Sequence, residues 1–151
     1  MVTSGIAALR STGATLWLPL YLSFLARAHA ELDQFDDACT CIDEAMAAVE
    51  TTKERWCEAE IHRIAGEIEL MSPERDATKA ETCFERALEI ARTQHAKSWE
   101  LRAATSLARL CRDQGRRQKA IDLLTPVYGW FTEGFDTLDL KEAKALLGGL
   151  A

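Results

Sequence analysis

The 151-residue sequence has little of what interrupts a helix, with only 3 prolines and 8 glycines. That is too few for a turn-rich β architecture or a low-complexity chain. Its five cysteines, Cys39, Cys41, Cys57, Cys83 and Cys111, are an odd number without paired C-x-x-C spacing. Neither a disulfide framework nor a zinc site is indicated, and a reducing cytoplasm is the compartment that fits. Nowhere do 18 apolar residues run consecutively, so no spanning helix is expected. Basic excess is lacking as well: 18 Lys and Arg against 24 Asp and Glu leave a net charge of -6. This argues against nucleic acid or an anionic membrane as a general partner. The three histidines, His29, His62 and His95, include no pair four apart on one helix, so metal chemistry is not expected and no cofactor is implied.

What is present is a 48% apolar, 28% charged chain rich in helix formers, long enough for one domain with an ordinary core. One stretch is ambiguous. LWLPLYLSFLARAHA, residues 16–30, ends in an A-x-A triplet after a nearly unbroken apolar run, as a secretory signal does. It could equally be the first helix of a repeat.

A repeat decides the point. Three segments carry apolar or small residues at the same offsets: Ala38, Cys41, Ile42, Ala45, Met46, Val49; Ala80, Cys83, Phe84, Ala87, Leu88, Ala91; and Ala120, Leu123, Leu124, Val127, Tyr128, Phe131. The spacing i, i+3, i+4, i+7, i+8, i+11 is one face of an α-helix. Each segment follows another with a hydrophobic-small pair, Leu25-Ala26, Ala65-Gly66 and Leu107-Ala108. From Ala26 to Gly66, Ala108 and Gly148 the period is 40, 42 and 40 residues. In this register the 16–30 stretch occupies the slot that WCEAEIHRIAG and SWELRAATSLA fill later, and those are too polar to be secretion signals.

The register predicts an all-α fold of about eight helices, near 2–11, 17–32, 35–50, 55–71, 77–94, 98–114, 117–131 and 138–148. They should pair as antiparallel hairpins in a right-handed superhelical stack. Within a single domain spanning 1–151, the units are a partial repeat at 1–14, repeats at about 15–53, 54–95 and 96–135, and a terminal capping helix at 136–151. Pro19 falls in a first turn, where its missing N–H costs little. Gly115 is the expected C-cap in RDQGRRQ, and MSPERDAT carries the insertion that lengthens one period.

The residues LARAHAELDQFDDACTCIDEAM and CFERALEIA resemble the tetratricopeptide repeat, with its small residue in the first helix and two alanines seven apart in the second. Here those pairs are Ala38 with Ala45 and Ala80 with Ala87; Ala120 with Val127 departs mildly. The period exceeds the usual 34 or so and resembles longer-helix variants; HEAT repeats share the period but not the alanine pattern. A narrower resemblance is carried by ERWCEAEIHRIAGEI, SWELRAATSLARLCRDQGRRQKAIDLL and VYGWFTEGFDTLDLKEAKALL. These are similar to the C-terminal end of multidomain bacterial signalling proteins that join an adenylate/guanylate cyclase or a winged-helix domain to an ATPase and helical repeats. The resemblance implies a regulatory segment; with Gly5 where a second helix's alanine belongs, the chain opens mid-repeat, as expected of a fragment, a split gene product or a truncated form.

Chemistry is sparse. GWFTEGFD has two glycines five apart, but Phe135 and Asp136 stand where a phosphate-binding loop needs Lys and Ser or Thr. A turn is expected there, with Trp130, Phe131 and Phe135 packing on Leu140 and Leu147. Cys57, near a helix start, is the one weak nucleophile candidate. Glu58, Glu60, Glu67 and Glu69 read as a solvated face. With no nucleophile-base pair or metal constellation, an enzyme is not expected.

Geometry points to a different site. First helices of such arrays line the concave surface, and fixed offsets from each small marker select Leu20, Ser23, Arg27 and Ala30; Glu60, Arg63, Glu67 and Leu70; and Arg102, Thr105, Arg109 and Arg112. Arg27, Arg63, Glu67, Arg102, Arg109 and Arg112 are the candidate partner-binding residues, for an acidic peptide or a carboxylate-bearing segment. The alternative is that these arginines form ion pairs with Glu60, Glu67 and Glu100 in the same surface. The function expected is a protein-interaction or regulatory module. The runner-up is structural, a homodimer or intramolecular stack through the apolar residues Val2, Ile6 and Leu9.

Overall fold

A computed structural model of the chain describes residues 7–8 and 16–151. Ala7 and Ala8 are helical, and the expected first helix, partial repeat and oligomer contact at Val2, Ile6 and Leu9 otherwise lie outside the described residues. From residue 16 on there are seven helices and no strand: α1 (Leu18–Glu31), α2 (Phe35–Thr52), α3 (Glu58–Met71), α4 (Ala77–Thr93), α5 (Lys97–Asp113), α6 (Arg117–Trp130) and α7 (Leu138–Leu150). This is the all-α solenoid of stacked hairpins that the register predicts, with α1 in the place of the suspected signal.

Capping chemistry sets the turns. The chain reverses after α1, α4 and α5 through one left-handed residue, Asp33 (φ 60), His95 (φ 54) and Gly115 (φ 76). In each case the next backbone N–H returns to a carbonyl five residues back: Gln34 to His29, Ala96 to Ala91 and Arg116 to Cys111, at 2.8–2.9 Å. These are Schellman closures, which satisfy carbonyls left over at a helix end. Only the glycine version was legible beforehand; Asp and His occupy the same conformation at some steric cost. The lengthened turn between α3 and α4 has no such residue; the Asp76 side chain instead accepts from Lys79 N–H at 2.9 Å and starts α4.

The first helices α1, α3, α5 and α7 touch in series and form one layer, while among the described residues α2, α4 and α6 touch first helices only. First helices are therefore enclosed by several neighbours. Ala38, Ala45, Ala80, Ala87 and Ala120 are fully buried, as the paired-alanine register requires. Small residues there let backbones approach and leave room for larger side chains from the next layer. One approach is closest at Gly66: a Cβ added there would stand 2.6 and 2.8 Å from the Phe84 ring carbons Cε1 and Cδ1.

Enclosure also corrects two expectations. Glu58 and Glu60 are buried, not part of a solvated face, because α3 is packed by α1, α2, α4 and α5. Trp130 and Phe135 are exposed; the aromatic side chain from this segment that reaches the core with Leu140 and Leu147 is Phe131. The turn itself lies where expected, between α6 and α7, with Gly134 at φ 77.

His62 on α3 supplies a pH test. Its Nε2 is buried without a hydrogen-bond partner, and burial, with the Arg86 charge assisting and Glu58 opposing, pulls its pKa below the ordinary 6.5. Above that value the ring is neutral in both states and contributes nothing to pH dependence. Below it the unfolded chain takes up the proton first, so stability falls until the folded-state pKa is passed. Urea midpoints at pH 7.5 and 5.5 should show this loss in the parent chain, and His62→Leu should reduce it.

Candidate functional site

The offsets that selected the candidate residues place them along one layer of first helices, and the structure gathers most of them around one cavity. Arg27 from α1, Arg63 and Glu67 from α3, and Arg102, Thr105, Ser106 and Arg109 from α5 line a space of about 220 Å³. Leu138, Asp139 and Glu142, from the start of α7, close its far side. Arg112 is not among the lining residues; its guanidinium pairs with the adjacent Asp113 at 3.0 Å.

The floor is a buried ion network. Arg63 donates to both carboxylate oxygens of Glu60, at 2.7 and 2.8 Å. Their side chains are 5% and 1% exposed. Arg63 also contacts Glu67 and the Ser106 hydroxyl, and that hydroxyl reaches Glu67 at 3.3 Å. Burial alone would lower the Arg63 pKa, but the hydrogen bonds and charges of Glu60 and Glu67 outweigh it and raise the group further. Arg27 on α1 meets Glu67 at 2.8 Å, and Arg102 on α5 meets Glu60 at 2.8 Å. Three successive hairpins are thus tied through α3.

The rim is looser. Arg102 approaches Asp139 at 3.6 Å and Arg109 meets Glu142 at 2.9 Å, with both carboxylates about 40% exposed. The Arg102 guanidinium also lies 5.8 Å from the Trp99 ring centroid, within cation–π reach.

Four guanidinium groups, of Arg27, Arg63, Arg102 and Arg109, therefore face four carboxylates, of Glu60, Glu67, Asp139 and Glu142. The arrangement is charge-balanced rather than a basic patch. Glu60 and Glu67 act as the ion-pair reading anticipated, whereas Glu100 pairs with Arg92 and Lys97 on the other side of α5. Asp139, Glu142 and Ser106 were missed. Glu142 was findable, since it stands six residues before Gly148, the offset that selects Leu20, Glu60 and Arg102 in the earlier repeats. Ser106 carries no sequence signal of its own.

No catalytic reading gains from the geometry. Cys57 is fully buried, and burial pushes its thiol pKa up to about 11, away from the depressed values of reactive thiols. Among the described residues, no helix is long and apolar enough to cross a membrane.

No curated protein matches the chain. The tetratricopeptide-repeat family model matches residues 70–127, from the end of α3 through most of α6, so this span is similar to a family of non-catalytic repeat modules.

Proposed function

We propose that the chain is a non-catalytic interaction module of a cytoplasmic bacterial signalling protein, and that the groove along its first helices takes a carboxylate-bearing polypeptide segment. Tetratricopeptide repeats generally mediate protein–protein interaction. The observation that carries the finer reading is the convergence of Arg27, Arg102 and Arg109, from two first helices, on one cavity with a fixed floor and a replaceable rim. The floor is fixed because removing either partner of a desolvated pair leaves a buried charge, costing about 3–5 kcal/mol. The rim is replaceable because a half-exposed pair contributes only about 0–1 kcal/mol. A partner carboxylate can displace Asp139 or Glu142 from its arginine at little cost and gain the same charge-assisted hydrogen bonds. The five free cysteines support a reducing compartment, and the signalling context rests on the sequence resemblance of 54–68, 98–124 and 127–147 to the tails of cyclase- and ATPase-linked regulators.

Fluorescence anisotropy with a labelled Asp/Glu-rich peptide tests the groove. Replacing Arg102 and Arg109 together with alanine should weaken binding at least about ten-fold, as loss of two charge-assisted contacts implies. The circular dichroism spectrum should not change. Asp139→Asn with Glu142→Gln removes the internal competitors and should strengthen binding several-fold. Affinity indifferent to both pairs of changes would remove the groove from consideration. A second reading, a stacking role, is favoured by the aromatic residues exposed on α1.

A further inference from the structure

The exposed side of α1 deepens that stacking reading and is independent of the groove. Trp17, Tyr21 and Phe24 are 48%, 39% and 39% exposed. They follow i, i+4, i+7 spacing, so they form one stripe on the helix. Forty residues later the same register positions are Cys57, Ile61 and Ile64, which are 0%, 0% and 1% exposed. Those side chains are covered by the preceding hairpin: Cys57 and Ile61 pack with Leu20, Leu22, Ala45 and Val49, and Ile64 packs with Ala26, Ala38 and Cys41. In the third repeat Ala103 and Ser106 hold the second and third positions and are likewise buried. The positions that two repeats use to lie on their predecessor are thus aromatic in the first and, among the described residues, uncovered.

Indole hydrogen bonds extend the pattern. Trp99 at the start of α5 donates to the Trp56 carbonyl at 3.0 Å, and Trp56, just before α3, donates to the Leu16 carbonyl at 3.3 Å. Each indole clasps the chain where the preceding hairpin begins. Trp17 packs edge-on against Trp56, with ring centroids 4.9 Å apart, and holds in the first repeat the register position that Trp99 holds in the third.

The opposite end of the array differs. Leu138 at the start of α7, and Trp130 and Phe135 before it, are exposed, but along the rest of the helix the exposed residues are Lys141, Lys144, Ala145, Gly148 and Gly149, without an aromatic ring. A head-to-tail contact with another copy along the exposed side of α7 would set the aromatic stripe against Lys141 and Lys144.

We propose that the Trp17, Tyr21 and Phe24 face of α1 is a docking surface for one further helix hairpin of the same repeat type. The hairpin lies as α1 and α2 lie against α3, and presents a backbone carbonyl at the start of its first helix to Trp17. One such hairpin takes about 40 residues, the separation of Trp56 and Leu16 in the indole series. The occupant is a hairpin additional to those of the described residues 16–151.

The test duplicates residues 55–96 between Ala14 and Thr15 of the full chain, which preserves the repeat register, and compares Tyr21→Glu/Phe24→Glu in the parent and extended chains. In the parent the double change should leave helicity intact and move Tm by less than roughly 2 °C, as for exposed positions. In the extended chain it should lower Tm by roughly 4 °C or more, because it would bury two carboxylates. Equal tolerance in both chains would overturn the assignment, and so would unfolding of the parent variant, which would make the stripe part of this chain's own core. Dye binding keeps the question open to refutation if the extended chain does not fold: the parent should bind the apolar probe ANS several-fold more than its double variant, and equal binding would refute a sticky face. Sedimentation of the parent at two concentrations must show one monomeric species. A dimer abolished by the double change would assign the face to a second copy and overturn the hairpin. None of these readouts involves the arginines of the groove.

Discussion

Glu60→Ala is expected to destabilise the protein by about 3–5 kcal/mol, because it strands the buried Arg63 guanidinium. The paired side chains are 1% and 5% exposed, and Arg63 gives both its Nε and Nη2 donors to this one carboxylate. Arg102 loses its 2.8 Å contact in the same step, but its side chain is 30% exposed and retains Asp139. Water can therefore solvate Arg102, whereas Arg63 keeps only Glu67 and Ser106. Removing the charge pair as a unit should behave differently. Glu60→Leu with Arg63→Met deletes the desolvation cost together with the attraction, and such replacements are often neutral or better. The double variant should thus recover most of what Glu60→Ala loses. Urea denaturation at pH 7 measures both; a single-variant loss under about 1 kcal/mol would mean that the pair is hydrated in solution, as surface pairs are.

Phe84→Ala carries the second large effect, about 3–5 kcal/mol, the range for truncating a buried aromatic side chain. Phe84 is wholly buried in the cluster that runs from α4 through α5 and α6 to α7. Its ring lies on Gly66, so the two positions are coupled. Gly66→Ala would gain up to about 1 kcal/mol of helix propensity, yet its Cβ would stand 2.6 Å from the ring. A helix-helix contact this close cannot absorb a methyl group without shifting, and overpacking costs about 1–3 kcal/mol. Gly66→Ala should therefore destabilise despite its better propensity. Combining it with Phe84→Leu, which shortens the facing side chain, should cost less than the two single changes added together. Strict additivity in a double-mutant cycle would show that the contact is not present in solution.

Most of the helical layout was legible because amphipathic periodicity is a local property. Six or seven residues at helical spacing suffice to place a helix, and three copies in register suffice to pair them. The paired alanines at 38/45 and 80/87 are legible for the same reason: helix contact at short distance excludes larger side chains. The candidate site was legible as a stripe but not in its electrostatics. Fixed offsets located Arg27, Arg63, Glu67, Arg102 and Arg109, since concave positions recur with the period. Which carboxylate answers which arginine was not readable, because partners 33 to 42 residues apart meet only through the rise between hairpins. Asp139 was overlooked for that reason, whereas Glu142 stands at an offset that the register does select; Glu60 was misread as solvated because burial depends on neighbouring helices.

Residue pattern alone determined the fold class of this protein, its period, the places of its turns and most of the row of residues that lines the first-helix cavity; each follows from short-range spacing that any copy of the repeat obeys. Only the stacked structure decided which charges are sealed beneath α1, α3 and α5 and which remain exchangeable at the rim. It also decided that α1 presents an aromatic stripe, whereas the exposed side of α7 carries lysines and small residues and no aromatic ring. Those outcomes depend on which face of one hairpin lies against the next, and a desolvated charge or an uncovered aromatic ring exists only once that contact is made or missing.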